Sequence, residues 1–305
     1  MISNQHSETF VLSVFSSLFS KTLTPAWTYS CQATLWRILL SDRGRILGEC
    51  RDQELKKTRF FCVDEQTGEV LWHHTRPEEQ WWIGLEAVHA GRVFLHGFES
   101  PDMPEHKRII ALDMETGEEA WKNDEMAFWF AYGSKLYAYR TMFEKKTGFI
   151  LDSESGEVLE RIENVDDLAP VRQLARAEDV HARIDFPELV DRDSLPPDVL
   201  DIIDRETKGR DIVGGVEVVV NDRYVVMNYH KAGKQSTPHI GLLEVRILVF
   251  DRKDGKRVFS DILLRDARAP VPDAFFIKDF SMFFIKDQKT LCMIPLEHVR
   301  DALLP

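Results

Sequence analysis

Apolar and polar residues alternate in short runs along most of this chain, and the runs come in sets. The clearest set reads WWIGLEAV (81–88), a short turn at His89–Arg92, VFLHGF (93–98), a polar loop, RIIAL (108–112), a tight turn and EEAW (118–121). Period-two patterning bounded by Gly, Asn, Asp and Ser predicts half-buried β-strands joined by hairpins. The same order of four strands recurs with LWRILL, RILGEC and RFFCV before the set just described. It recurs again with FWFAY, KLYAY and GFIL, and with GVEVVV, RYVVMNY and EVRILVF after it. At the end come three more strands, FFIK, MFFIK and TLCMIPL, whose outer partner is missing. PAWTYS (25–30) is an orphan strand of the outer type, so it is expected to pair with those three.

Each set carries one decapeptide between its third and fourth strands: VDEQTGEVLW (63–72), LDMETGEEAW (112–121), LDSESGEVLE (151–160) and FDRKDGKRVF (250–259). Their aspartates, Asp64, Asp113, Asp152 and Asp251, are 49, 39 and 99 residues apart. The first two intervals match one four-stranded propeller blade of about 40–50 residues, and the third is a blade plus an insertion. The aspartate can accept backbone N–H groups two residues on and so start a tight turn. Gly68, Gly117, Gly156 and Gly255 supply the left-handed residue that such a turn requires. Trp72 and Trp121 then fall on the outer strand, where a flat ring can seal one sheet against the next.

D-x-x-T-G-x-x-x-W, complete at 64–72 and 113–121, resembles the repeat of the PQQ-like (quinoprotein-type) β-propeller superfamily. The likeness covers roughly residues 35–160 and 213–259. It implies an all-β chain, a β-propeller of four-stranded antiparallel blades; the strand sets, with the N-terminal strand pairing with the C-terminal three to close the ring, count to five blades, with six as the alternative. The resemblance admits both quinone-dependent dehydrogenases and non-catalytic scaffolds. The dehydrogenases use larger eight-bladed rings, PQQ with calcium and often adjacent cysteines; this chain has neither the length nor a Cys–Cys pair. No cofactor is therefore expected.

Organisation follows from what interrupts the sets. Residues 1–24 precede the single propeller domain of 25–305, and residues 164–212 form an acidic insertion without strand pattern. Within it PPDVLDIIDRETKG (196–209) has a proline start, apolar Val199, Ile202 and Ile203, and a closing glycine, which predicts a short helix. The insertion reads as a lid or flap. FVLSVFSSLF (10–19) is too short to span a bilayer and has no preceding Lys or Arg, so a cytoplasmic location is expected, with export as the alternative. Cys31, Cys50, Cys62 and Cys292 form no C-x-x-C pair; three of them lie in or beside apolar runs, where a small buried thiol is usual, and neither a disulfide framework nor a zinc site is expected. A net charge of −12 argues against a nucleic-acid surface, and a soluble monomer is expected.

Propeller geometry puts the repeated turns and the short first-to-second-strand turns on one face, and the remaining loops on the other. Those remaining loops are the long ones, and function rides on long loops held by a rigid frame. The expected working face gathers His73, His74, Trp81, Trp82, Glu99, Asp102, His106, Trp129, His230 and His239. The histidines lack H-x-H or H-x-x-E-H spacing, so no metal site is expected. The favoured reading is a non-catalytic scaffold binding a protein or peptide partner through this face. The alternative is a small-molecule (sugar-type) binding site or hydrolase with central-channel carboxylates, for which Glu86, Asp102 and Glu217 are candidates.

Overall fold

A computed structural model of the chain describes residues 22–74, 78–100, 103–142, 145–178, 184–233 and 242–296; the side chains of 99, 100, 103, 104, 142 and 145 are outside that description. The apolar segment 10–19 and the candidates Asp102 and His239 lie outside the described residues, as does the side chain of Glu99.

The all-β expectation holds. After β1 (Trp27–Ser30), four strands form sheet I: β2 (Thr34–Leu40), β3 (Arg45–Asp52), β4 (Lys57–Asp64) and β5 (Val70–His74). Sheet II is β6 (Ile83–His89), β7 (Arg92–Ser100), β8 (Met103–Asp113) and β9 (Glu119–Asn123). Sheet III is β10 (Ala127–Tyr132), β11 (Lys135–Met142), β12 (Lys145–Asp152) and β13 (Val158–Ile162). Helix α1 (Ala169–Ala177), the two-residue β14 (Glu188–Leu189) and helix α2 (Pro197–Thr207) occupy the insertion. Sheet IV follows with β15 (Ile212–Val220), β16 (Tyr224–Ala232), β17 (Leu243–Asp251) and β18 (Arg257–Ala267), and β14 adds a fifth strand beside β15. Sheet V has the order β1-β21-β20-β19, from β19 (Phe275–Lys278), β20 (Ser281–Lys286) and β21 (Thr290–Pro295). The N-terminal strand thus lies beside β21 as the orphan-strand reading expects, and Ala26 N–H donates to the Met293 carbonyl at 2.9 Å.

Two compact units result, residues 29–184 and residues 1–28 with 185–305. In the first, sheets I and II share a core in which Leu47, Phe60 and Trp72 meet Ile83, Leu95 and Leu112. Sheets II and III share another, of Phe94, Ile109, Leu136, Ala138 and Leu151. In the second, sheets IV and V bury Val226, Ile247, Val249, Phe275, Met282 and Ile294 together.

The repeated decapeptides are turns, as their chemistry dictates. Asp64 Oδ1 accepts the N–H groups of Gln66 and Thr67 at 3.0 and 2.9 Å and the Thr67 hydroxyl at 3.0 Å. Asp113 accepts Glu115, Thr116 and the Thr116 hydroxyl in the same way, and Asp152 accepts Glu154, Ser155 and the Ser155 hydroxyl. The four glycines have φ of 70°, 73°, 75° and 63°. Gly117 is needed twice over: a Cβ there would stand 2.7 Å from Trp72 Cδ2. The indole of Trp72 also donates to the Met114 carbonyl at 2.8 Å, and Trp121 repeats the arrangement on Ser153 and Gly156. Each tryptophan therefore seals onto the turn of the next sheet.

The third decapeptide has Glu160 in place of tryptophan. At Gly255, the turn glycine of sheet IV, helix α2 packs on the turn: the Arg205 guanidinium donates to the Gly255 carbonyl, and Ile202 packs alongside. Val199, Ile202 and Ile203 of α2 are buried against Val218, Val225, Met227 and Phe250. Helix α1 packs likewise on sheet III, with Val171 and Ala175 beside Phe130, Tyr137 and Ile150. The described parts of the insertion thus include two helices, each packed on a sheet, and the short β14 paired with β15.

One cysteine expectation needs correction. Cys31 and Cys50 are joined in a disulfide, with Cα atoms 6.4 Å apart. Hairpin pairing of β2 with β3 sets Leu35 opposite Cys50, which brings the chain just before β2 into bonding reach. No sequence motif marks that proximity. Cys62 and Cys292 are buried thiols as expected, and burial pushes them up to about 12 and about 11.

Candidate functional site

The first strand of each of sheets I to IV carries a β-bulge. The register breaks between Leu35 and Arg37, between Leu85 and Ala87, between Phe128 and Phe130, and between Val213 and Val216. The extra residues are Trp36, Glu86, Trp129 and the pair Gly214–Gly215. A bulge releases its residue from strand alternation and re-aims the side chain. Strict period-two reading of the sequence cannot see this.

In sheet II the consequence is a cluster. Glu86 Oε2 lies 2.7 Å from His96 Nδ1 and 2.9 Å from His106 Nδ1. The two imidazoles stack with centroids 3.6 Å apart and planes 7° from parallel. His96 comes from β7 opposite Gly84, where a Cβ would stand 2.7 Å from its ring. His106 reaches the same side through a second bulge. With Ile109 opposite His96 and Lys107 opposite Gly97, Arg108 is left over, and His106 pairs with Phe98. Arg108 sits at φ 72°, a left-handed conformation unusual for a side-chain-bearing residue, and forms an ion pair with Asp124 at 2.8 Å.

Burial alone would raise the Glu86 pKa, but the two histidines outweigh it and hold the carboxyl at about 2. His96 Nδ1 and Glu86 Oε2 are both fully buried, and the close contact between them lacks hydrogen-bond geometry. His106 is about one-third exposed and lines a cavity of about 280 Å³ with Glu105, Glu125, Tyr139, Arg140 and Lys146. A cavity of about 510 Å³ opens among the repeat turns, but Arg92 there is already paired with Asp113 and Glu154.

A second surface lies on the loops joining sheets I and II. The β3–β4 turn and the β5–β6 connection meet there: Thr58 N–H donates to the Gln80 carbonyl at 2.6 Å, and Arg51 donates to the carbonyls of Trp81 and Ile83. The Arg51 guanidinium stands 5.6 Å from the Trp36 ring and 5.2 Å from the Trp81 ring, and Lys56 Nζ lies 4.7 Å from Trp81. Glu49, 1% exposed, holds Arg51 at 2.5 Å and accepts Leu85 N–H at 2.6 Å. Around this frame Trp36 is 60% exposed, Leu55 62% and Trp82 38%.

The remaining sequence candidates scatter. His73 is exposed on β5. His74 belongs to the turn packing, stacked on Trp72 with its Nε2 2.9 Å from the Gly117 carbonyl. Trp129 is half-buried beside α1, with Arg172 over its ring at 5.3 Å. His230 is buried in β16 and accepts the Val271 N–H at 2.9 Å, a core histidine with its partner. Glu217 on β15 lies opposite Asn228, and burial raises its pKa. His96, Trp36 and Arg51 were missed. Trp36 is itself a bulge residue and His96 faces the bulge residue Glu86, relations that only the strand register reveals.

A family model described as a domain of unknown function (DUF4905) matches residues 40–121, from the end of β2 to Trp121. No curated protein matches the sequence. Among solved structures the chain is similar to BamB from Moraxella catarrhalis, at 9% identity over 90% of this chain and 86% of that one, with a TM-score of 0.33. It is similar to the Dos1 propeller at 11% identity over 86% and 67%, TM-score 0.30. It is also similar to the β-propeller domain of the Trilobed protease from Pyrococcus furiosus, at 9% identity over 87% and 71%, TM-score 0.29. At these scores the likenesses carry no inference about what the chain binds. Among the described residues no helix is long and apolar enough to cross a membrane.

Proposed function

We propose that the chain is a β-propeller scaffold that binds a protein partner through the loops around Trp36, Leu55, Trp81 and Trp82. The observation that carries this reading is the meeting of the β3–β4 turn, which presents Leu55, with the β5–β6 connection, which presents Trp82, on a hydrogen-bonded frame beside the exposed bulge residue Trp36 of β2. Scattered exposed apolar residues need no explanation, but aromatic rings grouped with cations are the composition of binding hot spots. Lys56 beside Trp81 favours a partner segment with apolar side chains flanked by a carboxylate.

The test is a photo-crosslinking amino acid placed at Leu55, with Val158 on the exposed face of β13 as control. A discrete adduct from Leu55 alone, abolished by Trp36→Ala with Trp82→Ala, is expected. Equal labelling from both positions, or none from Leu55, contradicts the reading.

The Cys31–Cys50 disulfide supports the exported alternative over a cytoplasmic location, because such bonds persist in oxidising compartments. Alkylation of denatured protein taken directly from cells distinguishes them: two modified thiols fit export, four fit the cytoplasm.

A further inference from the structure

The geometry points to a divalent transition-metal site formed by Glu86, His96 and His106. Their ligand atoms all lie within 4.8 Å of one another, and the two imidazole nitrogens converge on one carboxylate oxygen at 2.7 and 2.9 Å. Bonds of about 2.1 Å to nitrogen and oxygen put neighbouring ligands of one tetrahedral ion about 3.4 Å apart, so a shift of well under about 1 Å opens this cluster to hold one. His96 is more than nine-tenths buried, and its Nδ1 has no hydrogen bond of proper geometry; neither has Glu86 Oε2. A buried polar atom left in that state needs an explanation.

Protons explain the cluster poorly. Two imidazolium rings stacked at 3.6 Å would repel each other, and the N–H of a neutral His96 does not point along the line to the carboxylate. A divalent ion instead takes a lone pair from each of two neutral rings and is balanced by the ionised Glu86. Two nitrogens with one oxygen form a borderline donor set that suits Zn²⁺ or Co²⁺ better than Ca²⁺ or Mg²⁺. His96 is wedged against Gly84, whereas His106 is closer to the surface and can turn to complete the ligation. Three protein ligands leave a position open, and His106 lines the neighbouring cavity, from which water or an anionic group can fill it.

The experiment uses the untagged full chain, stripped with a chelator and titrated with Co²⁺ and Zn²⁺. A single ion per chain is expected, with visible Co²⁺ bands and no near-ultraviolet thiolate band, since Cys62 and Cys292 are not ligands. His106→Ala should weaken binding by about 100-fold or more, because even outer partners of a metal ligand are worth about 10- to 100-fold. Its metal-free melting temperature should match the wild type, and His73→Ala should bind normally. Should His106→Ala fail to fold, His106→Asn serves in its place. No binding by the wild type, a thiolate band, or unchanged affinity in the His106 variants overturns the assignment.

Discussion

His230 in sheet IV and His96 in sheet II are both buried on the second strand of their sheet, opposite a first strand that carries a bulge. Their surroundings differ. In sheet IV the bulge is the pair Gly214–Gly215, which offers no side chain, and His230 accepts a backbone N–H from Val271 at 2.9 Å. In sheet II the bulge residue is Glu86, and His96 faces its carboxylate and a second imidazole without an aligned hydrogen bond. The same fold element thus builds a satisfied core histidine in one place and a convergent set of lone pairs in the other. Burial of a histidine says little by itself; the accounting of its ring nitrogens decides.

The two sheets also seal their turns differently, and this gives the largest expected effects. Trp72→Ala removes the ring that covers Gly117 and should cost about 3–5 kcal/mol, the range for a buried aromatic. Ile202→Ala on α2 should cost about 2–4 kcal/mol if the helix is core to sheet IV. Urea unfolding measures both. A near-zero value for Ile202→Ala would mean that α2 is a flap after all.

A smaller effect sharpens the role of the turn glycines. Gly117 and Gly133 both have positive φ, 73° and 59°, but a Cβ at Gly133 meets nothing within 4 Å. Gly133→Ala should cost only the backbone penalty of about 1 kcal/mol, and Gly117→Ala about 2–4 kcal/mol because the methyl also strikes Trp72. Equal losses at the two positions would show that sealing adds nothing to the φ requirement.

The smallest effect lies in pH dependence. Burial lowers the His230 pKa below the usual 6.5. As pH falls below about 6.5 the unfolded chain takes up a proton that the folded chain does not, so stability is present above that value and declines toward the lower folded pKa. His230→Gln should flatten this part of the stability profile. An unchanged slope would place the titrating group elsewhere.

How much of this was legible in the sequence depended on range. Asp113, Thr116 and Gly117 act within one turn, so their roles could be read from the decapeptide alone. The α2 helix announced itself through Pro197, Ile202, Ile203 and Gly209, although its packing on the Gly255 turn did not. The cluster of Glu86, His96 and His106 stayed hidden because two bulges shift register: strict alternation puts Lys107, not His106, opposite Phe98. The Cys31–Cys50 bond was missed because it depends on hairpin geometry rather than on spacing. Trp129, His74 and His230 were read as part of an interaction face, whereas their partners come from other strands, from helix α1 and from the repeat turns.

Crystals of the untagged protein soaked in Zn²⁺ and measured at the zinc absorption edge test the contrast between the two histidines most directly. An anomalous peak about 2.1 Å from His96 Nδ1, His106 Nδ1 and a Glu86 oxygen, with none at His230, is predicted. A peak at His230 and none at Glu86, or no ordered zinc on the chain, would contradict the account.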